Sequence, residues 1–110
     1  MKLPNAEYAQ FDSKKLKGYL LSETHPIGRW KARFFRDLGY NESNTAVLEQ
    51  ELLRIAKTEE IVETARSIHG VKYIIDGWML TPQGDRVKLR AVWIVDKGQD
   101  RPRFVTAYPM

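Results

Sequence analysis

The 110-residue chain carries 18 Lys/Arg against 14 Asp/Glu, a net charge of +4, with 43% hydrophobic residues. That length suits a single domain over 1–110 with a modest core, not two domains. It contains no cysteine, which excludes disulfides, thiolate catalysis and Cys-based metal sites.

In chain order, the opening MKLPNAEYAQF places Pro, Asn, Glu and Gln where a signal peptide needs an unbroken apolar run. No later segment reaches the roughly 20 apolar residues of a membrane span. The expectation is a cytoplasmic protein with no membrane partner. Asp12 or Ser13 is suited to cap a first helix through about Ser22, with Leu16, Tyr19 and Leu20 on its apolar stripe and Gly18 weakening it. A second helix is expected from Pro26 to Leu38, with Gly39 as its C′ residue. Its apolar positions Ile27, Trp30, Phe34 and Leu38 recur at spacings of three and four, and Phe35 widens the stripe. Arg29, Arg33 and Arg36 share that period on another face. A third helix follows Asn44, from Thr45 to about Lys57, turning Leu48, Leu52, Ile55 and Ala56 inward. Glu42, Glu49 and Glu51 make it the acidic element.

Beyond Ile61 the apolar period falls to two. A weakly patterned strand is expected between Glu63 and Ser67. His69-Gly70 turns the chain into a better strand, Val71–Leu80. The turn Thr81–Asp85 then leads into Arg86–Val95. In the latter, Val87, Leu89, Ala91, Trp93 and Val95 share one face, and Arg86, Lys88, Arg90, Val92 and Ile94 the other. A loop to Pro102 precedes a last strand, Arg103–Tyr108. The fold class is therefore α+β, with about three N-terminal helices packed on one face of a three- to four-stranded antiparallel sheet. Trp30, Trp78 and Trp93 all fall in apolar runs and are expected in the core, not as base-stacking platforms.

Charge is segregated along this layout. Residues 1–40 hold eight Lys/Arg against four Asp/Glu, residues 41–63 two against six, and residues 64–110 eight against four. Such segregation favours a positive face that attracts phosphate backbones, or else an ordinary solvated surface. The chain has no phosphate-cradling glycine loop, no nucleophile elbow and no His/Asp/Glu array with metal-ligand spacing. Neither a cofactor nor a metal is expected.

The segment HPIGRWKARFF, His25 to Phe35, sets an imidazole at a helix start, followed by Arg29, Lys31 and Arg33. Metal-independent RNA cleavage needs such groups: a base for the ribose 2′-hydroxyl, an acid for the leaving oxygen, and cations for the phosphorane charge. The alternative is a His25 that serves only the helix end, beside solvated cations. Strand alternation puts Arg90 opposite Leu89 and Ala91, where it either meets a carboxylate, with Asp76 as the candidate, or faces an anion. Thr106 either hydrogen-bonds a phosphate or simply favours β structure.

MKLPNAE, HPIGRWKARFF, AVWIV and RPRFVTAYP together resemble a family of small bacterial proteins of unknown function. Its members carry His-Pro-x-Gly-(Arg/Lys)-x-Lys-Ala-Arg and close with Pro-Arg-x-Val-Thr-x-Tyr. The resemblance covers essentially the whole chain, and implies a small neighbouring partner gene and kinship with toxin-like C-terminal domains. In layout the chain also resembles the barnase–EndoU–colicin–RelE superfamily of metal-independent ribonucleases and toxins. That likeness implies His25, Lys31, Arg90 and Thr106 as catalytic groups and Arg29 and Arg103 as phosphate ligands, to which the spacing of the helix adds Arg33. Position 30 is Trp where relatives often have another His. The implied function is an RNA-cleaving toxin of a toxin–antitoxin pair, with RNA and a small antitoxin-like protein as partners. A non-catalytic module that docks a protein or nucleic acid is the alternative.

Overall fold

A computed structural model describes residues 1–11 and 29–110. A short 3-10 turn, Ala6–Tyr8, precedes helix α1 (Arg29–Asp37) and helix α2 (Thr45–Thr58). Strands β1 (Ile61–Ser67), β2 (Gly70–Leu80), β3 (Arg86–Asp96) and β4 (Arg103–Pro109) follow. Helix α1 stops where the sequence says it must. Gly39 takes φ 101°, a left-handed conformation that costs glycine least. Its N–H donates to the Arg36 carbonyl and the Tyr40 N–H reaches back to Phe35, at 3.0 and 3.1 Å. This is the Schellman pattern, and its usual hydrophobic contact is present as Phe35 packing edge-on against Tyr40. Asn44 precedes α2 without capping it; its amide bridges the Gly39 carbonyl and the Asn41 N–H instead.

The four strands form an antiparallel meander in chain order, β1-β2-β3-β4. Leu89, Ala91 and Trp93 are fully buried on the inner face of β3, as alternation predicts, but Val92 and Ile94 on the outer face are buried as well. The inner three join Phe35, Tyr40, Leu48, Leu52, Ile55, Ile75 and Met79 in one core cluster beneath the helices. Gly77 lets α2 approach β2 closely, because a Cβ there would lie 2.9 Å from Cγ2 of Ile55. Beyond Ile75, β2 has no partner residue in β1. Helix α2 covers that overhang: Glu51 accepts the Leu80 N–H at 2.8 Å and Arg54 donates to the Trp78 carbonyl at 2.7 Å. On the opposite side, Gln10 bridges Arg103 in parallel, and Phe11 packs against Trp93 and Phe104.

The fold is thus α+β with a four-stranded antiparallel sheet and two α-helices among the described residues. The count of about three N-terminal helices is not matched there: the expected helix from Asp12 or Ser13 to Ser22 lies outside the described residues, as does the start of the second at Pro26. The weak strand starts at Ile61, two residues before the expected Glu63. Trp78 corrects the core expectation. It is 50% exposed, because the strict alternation of β2 puts it with Asp76 and Leu80 on the outer face, away from Ile75 and Met79.

Candidate nucleic-acid interface on the outer sheet face

Three rows of side chains cross the outer face. Asp76, Arg90 and Tyr108 lie side by side on β2, β3 and β4; Ile74, Val92 and Thr106 form the next row; Lys72, Ile94 and Arg103 the third. Arg90 meets Asp76 in a bidentate pair, with Nε–Oδ1 at 2.7 Å and Nη2–Oδ2 at 2.9 Å. The sequence left Arg90 between a carboxylate and an anion, and Asp76 is the partner found. Asp76 holds the guanidinium even more firmly in its charged form, and Tyr108 adds a hydrogen bond from the other side. Two of the five guanidinium N–H donors go to Asp76 and a further one meets Tyr108.

Arg103 repeats the motif with Asp96, at 2.8 and 3.1 Å. That hydrogen bond pulls the Asp96 carboxyl below the ordinary range, against the opposing effect of desolvation. Arg103 and Thr106 are three residues apart, which regular alternation would send to opposite faces. A β-bulge resolves this: Val92 pairs with Thr106 but Trp93 with Phe104, leaving Val105 extra. Phe104 and Ala107 therefore both point inward and are buried. Arg103 and Thr106 both reach the outer face.

Of the residues nominated from the sequence, Arg90, Thr106 and Arg103 share this face. Arg33 is exposed on α1. The backbones of Arg29 and Lys31 belong to α1, and their side chains lie outside the description, as does the whole of His25. Among the described residues no group of three or more His, Asp or Glu is placed to hold a metal ion. No helix among them is long and apolar enough to cross a membrane.

Sequence reasoning placed Arg86 and Lys88 on this face without giving them a role, and it missed Trp78 and Lys72 there. Trp78 stands beside exposed Lys88 in register, and the Arg86 guanidinium lies 5.8 Å from its ring centroid. Lys72 is likewise exposed. Asp76 was the available signal: once it is turned outward, Trp78 two residues on must follow it.

The profile of the family described as Domain of unknown function (DUF6883) matches residues 2–110, and the chain belongs to that family. No curated protein matches the chain. Among solved structures, a chain of the "Contact-dependent growth inhibition toxin - immunity protein complex from Klebsiella pneumoniae 342" has the same fold. The TM-score is 0.71 at 22% identity, over 91% of this chain and 98% of that one.

Proposed function

We propose that this chain is an RNA-directed protein of the toxin class, cleaving RNA without a metal by attack of the ribose 2′-hydroxyl. The observation that carries the reading is the outer sheet face, where Arg90, Arg103 and Thr106 converge on a fold shared with a toxin–immunity complex. Charge favours the toxin half over the immunity half. A chain that approaches a polyanion gains from a net +4, whereas a protein that masks such a chain gains from the opposite sign. In the proposed mechanism His25 takes the 2′-hydroxyl proton, and it or Lys31 returns one to the leaving 5′-oxygen. Arg29, Arg33, Arg90 and Arg103 bear the phosphate charge, and Thr106 orients the phosphate. Labelled RNA incubated with EDTA should yield fragments ending in 2′,3′-cyclic phosphate, and His25→Ala should abolish most of the yield. Fragments with 5′-phosphates that vanish on chelation would overturn the reaction class.

A second reading, a non-catalytic docking module, rests on one observation: Arg90 and Arg103 already hold aspartates. Its mark would be tight binding of RNA or a cognate protein with no cleavage under any condition.

A further inference from the structure

We infer that Trp78, Arg86 and Lys88 form a base-stacking subsite for single-stranded RNA at the end of the outer face next to the β2–β3 turn. This rests on the RNA-directed reading above but not on cleavage. Trp78 is half-exposed on a strand whose fully buried neighbours, Ile75 and Met79, point the other way. An indole left in water on a rigid strand, not a mobile loop, is a preformed flat surface. The cations around it match a polyanion. Arg86 lies over the ring, Lys88 sits directly opposite it on β3, and both are exposed. The outer-face acids Asp76 and Asp96 are engaged by Arg90 and Arg103. That leaves Lys72, Arg86 and Lys88 against Glu63, which faces Ile74 from β1, and exposed Asp85 in the β2–β3 turn. The Trp78 row lies two residues from the Asp76–Arg90 row, about 7 Å along the strand. A base on Trp78 thus leaves the adjoining phosphate near Arg90.

This combination, an aromatic platform flanked by cations, is how strand surfaces hold unpaired nucleic acid. A duplex hides its base faces and makes no use of the platform.

The test measures binding of a fluorescein-labelled 2′-O-methyl RNA of about 12 nucleotides, within the usual range of single-strand site sizes. Attack by the 2′-hydroxyl cannot cut this probe. Trp78→Ala should weaken binding roughly 5- to 100-fold, with the slope of log affinity against log salt unchanged because no charge is lost. Trp78→Tyr should restore most of the affinity, and binding of the matching RNA duplex should not change in either variant. Arg86→Ala and Lys88→Ala should each lower the salt slope. Equal single-strand affinity in Trp78→Ala and wild type, or a loss that Trp78→Tyr fails to recover, overturns the subsite and leaves Trp78 to a protein partner. So does a wild-type protein that binds no single-stranded RNA. Unmodified RNA given to the same preparations separates the two claims. Cleavage with unchanged affinity in Trp78→Ala sinks the subsite alone. Trp78-dependent binding without any cleavage sinks the ribonuclease reading alone.

Discussion

Arg90 is held between structure and chemistry by a single carboxylate. Asp76 neutralises it on the outer face, so the pair presents little net charge to an approaching phosphate. Asp76→Asn keeps the shape and releases the cation. Single-stranded RNA affinity should rise, and the salt slope should steepen by about 0.7 for the added phosphate contact, as read from titrations at several KCl concentrations. Arg90→Ala should do the opposite and also lower the melting temperature, because half-buried Asp76 is left without its partner. The double change Arg90→Ala, Asp76→Ala should recover part of that loss. Tyr40 gives a second residue-level test. Burial, with Glu51 adding to it, pushes its phenol up to about 12, and its hydroxyl donates to the Leu80 carbonyl at 3.2 Å. A pKa raised on folding contributes stability that is whole below the unfolded value near 10 and fades as pH climbs towards 12. Alkaline melts should therefore fall across that interval in the wild type and less steeply in Tyr40→Phe.

The elements were legible where one local rule dominates. Gly39 ends α1 as its sequence position demands, and in the first half of β3 the alternation of Arg86, Lys88 and Arg90 with Val87 and Leu89 gave its two faces directly. Legibility stopped where a tertiary partner or a miscount decides. In β2, Tyr73, Ile75 and Met79 compete with Ile74, Trp78 and Leu80, so both faces read as apolar and only Asp76 breaks the tie. In β4 the extra Val105 changes parity midway, and strict counting would part Arg103 from Thr106. Glu51 read as one more solvated acid on α2. It is instead tied to the edge of β2: desolvation pushes its pKa up, but the Arg54 and Leu80 hydrogen bonds outweigh this and hold it low. Gly77 offered no local signal at all, since its role is to make room for Ile55. Gly77→Ala should cost about 1–3 kcal/mol by overpacking, measured by urea unfolding. Combined with Ile55→Ala, the two losses should sum to less than their separate values.

At the scale of the whole molecule, one cluster supports both layers, and Trp93 is near its centre. It is fully buried and meets Phe11 and Phe104 edge-on. Trp93→Ala should remove roughly 3–5 kcal/mol, a large share of the total stability of a small domain, and circular dichroism should show much of the chain unfolded. Substitutions on the outer face, Trp78→Ala included, should leave the spectrum native. The meander also sets an order of events. Each of its hairpins joins neighbouring stretches of chain, so β1 to β4 can zip together cheaply, whereas the bridge from Gln10 to Arg103 closes a loop spanning most of the sequence. That closure should come late, with φ-values near zero at Phe11 and higher values around the β2–β3 turn. During synthesis Gln10 is made long before Arg103, so the N-terminal edge must wait without its partner until β4 exists, and that seam is the last to be sewn.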